Sequence, residues 1–556
     1  MEHTAPSSSL VLETLLKTNR PPTDEERAII QESMSSANEK LKAVEAQISD
    51  AIAHIQALKS QIEETENKLQ CLRQEEAAIL ETSANHRRVL STVRNLPEDV
   101  IREIFIACVD REGGVPSLFY GNTPLPYKLA QISSGMRHIA LTTPLIWASM
   151  NIYVDFDRDP LDYTRVCSIL ASRANKWFER AGGVALTVFI TDMTYSYARF
   201  QDVQADSSNI LFNTLFSYST RWKRFQFDSS YQDESSPPPI IPRIAALSAA
   251  DLPLLESFTL RCECGISLFR NSPTLAIPTL RRLTLDTQWD AWPDNTVVSE
   301  FNTVNWAALT SVTIHGGRPE EVSSFDEIAR MLRQTKCLVF CDIALAPGST
   351  DSLGEINLPF LEMLRVDDHT FHGTSTRDLS IFDLINTPIL ATLTICATLL
   401  DASLANFFKR SPSIRVLCFS QWKVGERLAD ITELLGHCPS LSALTLEPRS
   451  LMDTMDQPSD ANMFLRAFVE DAGAGVTCPR LQSFNYTGNI IFSLQTLLQF
   501  LEAKQHGTNP SSALLPWKRV FINRGRVDDS EIEKTRDLVS QKQAAGFDIH
   551  VYTQGN

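Results

Sequence analysis

Pro439-Ser440-Leu441-Ser442-Ala443-Leu444-Thr445-Leu446 is the stretch from which the architecture can be read. A proline opens it, and a residue without a backbone N–H marks a turn rather than a continuing ladder. Leu444 and Leu446 then alternate with polar neighbours, the period of a strand with one buried face. The same spacing recurs as Pro253-Leu255-Phe258-Leu260, Pro278-Leu280-Leu283-Leu285, Pro359-Leu361-Leu364-Val366, Pro388-Leu390-Leu393-Ile395, Pro412-Ile414-Leu417-Phe419 and Pro479-Leu481-Phe484-Tyr486. Leu309-Val312-Ile314 and Leu338-Cys341-Ile343 are two further copies that lack the proline. Successive units start 23 to 29 residues apart, with one last gap of 40.

Self-similarity at this period predicts a solenoid, because one such unit cannot bury its apolar face until a neighbour stacks on it. The Leu-x-x-Leu-x-Leu core is the strand signature of leucine-rich repeats. Helical stretches lie between the strands, at 326–333, 428–435, 462–470 and 493–503, so each unit is strand plus helix. A last pair, a helix near 529–543 and a strand near 547–552, has the charged exterior that the end of an array needs. The Asn or Cys expected three residues after the last strand apolar is replaced by Glu263, Gln288, Gly317, Ala346, His369, Thr398, Trp422 and Arg449; only Asn489 fits. An irregular array without a uniform side-chain ladder is therefore expected.

At 556 residues the chain needs more than one core. Its 43% hydrophobic and 21% charged residues are those of an ordinary globular protein. A net charge of -16 argues against general nucleic-acid binding, which needs a clustered basic surface. The longest nearly apolar run, Thr387 to Leu400, is too short to cross a bilayer, and the first residues carry no secretory pattern. Eleven cysteines without a repeating pair spacing fit reduced thiols, and hence the cytoplasm or nucleus.

Working outward to the N-terminus, residues 1–22 are rich in Ser and Pro and are expected to be disordered. Thr23 with Glu26 forms a capping box that starts a helix. Over 23–82 an apolar seam follows at alternating spacings of three and four: Leu41, Val44, Ile48, Ile55, Leu58, Ile62, Leu69 and Leu72 carry it. A seam this narrow, held for about seven heptads, predicts a coiled coil on the order of 80 Å long. The isoleucines at 48, 55 and 62 favour a parallel pair and make a homodimer the first partner to test.

Between rod and array stands Leu96-Pro97-Glu98-Asp99-Val100-Ile101-Arg102-Glu103-Ile104-Phe105. Proline and two carboxylates suit a helix start, and the apolar residues share one side at helical spacing. A second helix offers Leu129 and Ile132, a third offers Met136, Ile139 and Ala140, and Thr143-Pro144-Leu145-Ile146-Trp147 closes the group. Three short helices over 93–150 give a marginal core, of the kind a partner completes.

This segment resembles the F-box, in particular the F-box-like proteins abundant in mushroom-type fungi. The matching residues are Leu96-Pro97, Glu98, Val100, Ile104-Phe105, Leu129-Ala130-Gln131-Ile132, Arg137-His138-Ile139-Ala140 and Thr143-Pro144-Leu145-Ile146-Trp147. Trp177-Phe178-Glu179-Arg180-Ala181-Gly182 and Arg221-Trp222-Lys223-Arg224-Phe225 are similar to segments that follow the box in that group. The family usually has Val-Cys-x-x-Trp where this chain has Ile132-Ser133-Ser134-Gly135-Met136. The resemblance implies docking on a Skp-type adaptor of a cullin–RING ubiquitin ligase through Leu96, Pro97, Val100, Ile101, Ile104, Phe105, Ile132 and Trp147. Residues 151–250 would connect the box to the array through first irregular repeats, and 251–556 would form the leucine-rich-repeat-like domain that holds a protein substrate. The rival expectation is an interaction scaffold that keeps the box without ligase assembly.

No catalytic site is expected. Phosphate-loop, zincin and nucleophile-elbow motifs are missing from the sequence. Asp367-Asp368-His369 with His372 reads as a solvated loop rather than a metal site, and Cys262, Cys264, Cys337 and Cys341 as reduced thiols. No cofactor, nucleic acid or membrane is called for. Pro237-Pro238-Pro239 reads as a linker, and Trp289, Trp292 and Trp422 as either interface anchors or core caps.

Overall fold

The computed structural model describes residues 8–18, 20–90, 96–111, 115–118, 123–154, 160–193, 210–229, 240–262, 266–269, 271–286, 301, 303–315, 325–345, 354–368, 380–396, 402–422, 428–448, 459–469, 477–504, 515–524 and 529–553. The chain divides into two compact units, Met1–Pro97 and Glu98–Asn556.

The first unit is helical. α1 (Ser8–Thr18) packs against α2 (Asp24–Val89). The disorder expected of residues 1–22 is thus corrected for this stretch. Apolar residues at helical spacing in Leu10-Val11-Leu12 and Leu15-Leu16 outweigh the flanking serines, and Val11 is buried. The Thr23 capping box forms as read: the Thr23 hydroxyl accepts from the Glu26 N–H, and the Glu26 carboxylate accepts from the Thr23 N–H at 2.9 Å. With no glycine or proline inside it, α2 continues for 66 residues, beyond residue 82, and spans about 100 Å.

The second unit opens with a helical module of α3 (Glu98–Arg111), α4 (Leu125–Leu129), α5 (Ser134–Leu141) and a single 3-10 turn, Pro144–Trp147. Ile101, Phe105 and Val109 of α3 and Trp147 of the last turn form its core. Arg102 ties the first helix to the turn after α5. Its guanidinium donates to the Thr142 carbonyl (2.6 Å) and the Thr143 hydroxyl (2.9 Å), and it also pairs with Glu98. The Ser133 hydroxyl caps α5 by accepting the Met136 N–H at 3.1 Å.

The module runs straight into a 16-stranded sheet. Its path is β1 (Ser117–Leu118), β2 (Ser149–Val154), β3 (Leu186–Asp192), β4 (Trp222–Ser229), β5 (Ser257–Arg261), β6 (Arg282–Asp286), β7 (Ser311–His315), β8 (Phe340–Leu345), β10 (Met363–Asp368), β12 (Thr392–Cys396), β13 (Val416–Trp422), β14 (Ala443–Pro448), β16 (Ser483–Ile491), β17 (Arg519–Arg524) and β18 (Asp548–Thr553). β15 (Ser459–Asp460) joins β16 from the side, and β9 (Ile356–Asn357) pairs with β11 (Ile385–Asn386) in a small separate sheet. Every pairing among the described residues is parallel, and the main path runs in chain order with β9, β11 and β15 off it, as stacked units of a solenoid would give.

Two apolar columns run the length of the sheet. One passes through Phe225, Phe258, Leu283, Val312, Cys341, Leu364 and Leu393 to Leu417, Leu444, Phe484, Val520 and Ile549. The other holds Phe227, Leu260, Leu285, Ile314, Ile343 and Val366. Both are fully buried, so the core is a strip one strand wide between sheet and helices.

The stretch 151–250, where first irregular repeats are expected, contains three strands of the main path. β2, β3 and β4 extend one column back through Phe225, Val188 and Met150. The loop between α3 and α4 adds β1, whose Leu118 is buried beside β2. Ahead of Pro253, Pro278 and Pro359 stand Leu252, Ile277 and Leu358, whereas the later repeat prolines follow small residues. Thr387, Ser411, Cys438 and Cys478 are all buried at that position, and the Thr387 and Ser411 hydroxyls share a hydrogen bond of 3.3 Å.

Candidate interaction surfaces

The seam between module and array is an aromatic knot. Trp147 Nε1 donates to the Ala140 carbonyl (2.8 Å), and its ring meets Trp177 at 4.8 Å and Tyr127 at 5.1 Å between centroids. The Arg180 guanidinium lies over Trp147 and Tyr127, 4.6 and 5.0 Å from their centroids. Trp177 and Arg180 belong to α6 (Pro160–Arg180), which ends at Gly182 with φ 57°, a conformation that favours glycine. Arg221 reaches back to that end, donating to the carbonyls of Val184 (2.9 Å) and Phe178 (3.3 Å). The Trp177 and Arg221 motifs are therefore two halves of one structural joint.

This geometry sorts the eight residues expected to dock an adaptor. Ile101, Phe105 and Trp147 are buried and hold the module together, so their side chains cannot reach a partner. Val100, Ile104 and Ile132 are exposed, with Val100 and Ile104 one turn apart on α3. Pro97 is exposed and Leu96 half-buried, just ahead of that helix. Leu141 and Leu145 are exposed apolar residues of the same module that sequence reasoning missed. The spacing showed which residues share a side of α3 but not which part of that side faces inward.

On α2 the seam residues Leu41 to Leu72 remain 44 to 56% exposed, about what a helix leaves open when nothing packs on it. Ile52 and Leu80 are exposed next to the seam and widen it.

A third surface is the open face of the sheet. Its side chains include a row of charges: Asp228, Arg261, Asp286 and His315 are cross-strand neighbours, followed by Asp342 and Arg365. Arg261 lies 3.8 Å from Asp228 and 3.7 Å from Asp286, while Asp342 takes His315 at 2.7 Å and Arg365 at 3.6 Å. Burial alone pushes the His315 imidazole down, but the hydrogen-bonded Asp342, with Asp286 and Asp367 nearby, reverses this and leaves it raised. Burial raises the Asp228 carboxyl, against the Gln226 amide and Arg261, which favour its charged form.

An open cavity of about 310 Å³ lies at the turns before β4 to β6, lined by Lys223, Pro253, Leu254, Glu256, Thr279 and Arg281. Glu256 there pairs with Lys223 at 3.3 Å, so the lining holds a neutralised pair. Among the described residues no three His, Cys, Asp or Glu side chains converge on a metal position. His369, His372, Cys264, Trp289, Trp292 and Pro237-Pro238-Pro239 lie outside the described residues. Among the described helices none is long and apolar enough to cross a membrane.

Cys262 and Cys341 are buried and Cys337 is exposed. Burial pushes the Cys438 and Cys478 thiols up to about 12. Native protein is expected to lose Cys71 and Cys337 quickly to a maleimide and to keep Cys167, Cys262, Cys341, Cys438 and Cys478 until unfolded. Peptide mapping of the labelled chain checks this, and rapid native labelling of Cys438 would contradict the packing of that repeat.

No family model matches the chain, and no curated protein does.

Proposed function

We propose that this chain is a non-catalytic substrate receptor of a cullin–RING ubiquitin ligase. In this reading the helical module is an F-box that docks on a Skp-type adaptor, the solenoid is an irregular leucine-rich-repeat domain that holds a protein substrate, and α2 is half of a coiled coil. The observation that supports it best is the division of labour within α3. Ile101 and Phe105 complete the module while Val100 and Ile104 stay exposed, although polar residues there would cost the fold nothing. Holding a substrate beside a charged ubiquitin carrier raises the local concentration of its lysines, and that effect needs no active site in the receptor.

Adaptor capture from the full chain tests the reading. Val100→Glu with Ile104→Glu is expected to reduce capture of a Skp-type adaptor at least tenfold while leaving the melting temperature within a few degrees. Replacing Leu96, Pro97 and Ile104 together with alanine is expected to abolish capture. An intact chain that recovers no adaptor, or capture indifferent to both variants, would sink the ligase reading in favour of a scaffold.

A further inference from the structure

The apolar seam of α2 runs from Met34 to Ile79, and its large side chains stay about half exposed. Its midpoint falls between Gln56 and Ala57, which is also the midpoint of the helix Asp24–Val89. A second copy laid antiparallel in full overlap therefore covers the whole seam with its own. That buries roughly 800 Å² per helix, the size of a standard interface. A partner helix of ordinary length, about 12 residues, would leave most of the seam open.

The two directions stack the core differently. In a parallel pair each seam residue faces its own copy. Ala51 on Ala51 and Thr65 on Thr65 then leave thin layers, and Glu76 on Glu76 brings like charges together. In the antiparallel overlap Ala51 faces Ile62, Thr65 faces Ile48 and Glu76 faces Ala37. Each small residue between Leu41 and Leu72 thus meets a large one, as filled cores require, and the two carboxylates separate. A parallel dimer also favours leucine at the alternate seam position, held here by Val44, Ala51, Leu58, Thr65, Leu72 and Ile79; only two of the six are leucine. The isoleucines at 48, 55 and 62 taken alone suit a parallel pair, but these other layers do not. Flanking charges do not choose. The parallel pair joins Lys40 to Glu45 and opposes Lys68 to Arg73, while the antiparallel one joins Lys40 to Glu75 and opposes Glu45 to Glu66. The core decides.

We infer that two copies of this chain pair through α2 as an antiparallel coiled coil in full overlap, with Ala51 of each facing Ile62 of the other. This rests on the reading of α2 as half of a coiled coil and gives that half its partner and direction. The C-terminal ends of the two helices, which lead on toward the second units, then lie roughly 100 Å apart. A parallel pair would hold them about 10 Å apart.

Full-length chains carrying one new cysteine each, in a Cys71→Ser background, test the direction. Ala51→Cys is co-expressed with a differently tagged Ile62→Cys, Leu41→Cys likewise with Leu72→Cys, and each variant is also made alone. After mild oxidation with copper phenanthroline, each mixed pair is expected to give at least tenfold more disulfide-linked dimer than either variant alone. Mass spectrometry of the joined peptides identifies the link. In a parallel pair residues 51 and 62 stand roughly 16 Å apart along the axis, beyond the reach of a disulfide. Linkage of Ala51→Cys chains to themselves would overturn the inference and leave the coiled coil standing. No link in any combination would overturn it too. A monomeric mass on light scattering would then sink the homodimer with it, and a dimeric mass would move the contact away from this seam. None of these results touches the ligase reading, which adaptor capture tests by itself.

Discussion

Trp147→Ala is expected to lower the stability of the second unit by about 4 kcal/mol or more and to loosen its N-terminal end while sparing the rest. The side chain is fully buried, and its removal leaves a large cavity between Tyr127 and Trp177. The change also leaves the Ala140 carbonyl without the Trp147 Nε1–H that donates to it, and Arg180 without an aromatic ring beneath it. The damage should stay local because each strand of the array touches only its neighbours. Hydrogen exchange should speed up across 98–192 and remain near wild type from β12 onward. Uniform acceleration through β18 would show instead that the unit unfolds as one cooperative body.

Ile55→Asp with Ile62→Asp is expected to raise the dissociation constant of the rod by at least about a thousandfold. Each isoleucine contributes roughly 2–3 kcal/mol when its exposed half is covered, and each is lost from both helices of a homodimer. Covering the whole seam would bury roughly 800 Å² per helix, a standard interface. Light scattering of the wild-type chain should give twice the 62.2 kDa chain mass and the variant should give that mass once. Far-UV circular dichroism should fall with it, because a 66-residue helix without a partner has only its own propensity to hold it. A wild-type chain that is monomeric at micromolar concentration would end the homodimer proposal and leave the seam to a different helix.

Much of the solenoid was legible because its signal is doubled. Proline marks most turns and alternating apolar residues mark each strand, so units from Pro253 onward fell where the spacing put them. β2 to β4 were harder because they follow Thr143-Pro144 and α6 rather than a repeat proline, leaving alternation alone to identify them. β1 was out of reach, since two residues carry no period. The buried polar position ahead of the repeat prolines was visible in Thr387, Ser411, Cys438 and Cys478. It went unread because the ladder was sought after the strand, where regular repeats place it. On α3, helical spacing grouped Val100, Ile101, Ile104 and Phe105, but the inward direction is set by Ile139, Ile146 and Trp147, which come about forty residues later.

The sequential order of the sheet also bears on synthesis. Along the main path every strand after β1 pairs with one that leaves the ribosome before it, while the two-residue strands β9 and β15 wait for β11 and β16. The aromatic knot is complete once Trp177 and Arg180 have emerged, so the growing chain has a finished end on which β3 and its successors can add in turn. An interruption of translation within the array would thus leave a shorter stack with one raw edge rather than an unfolded chain.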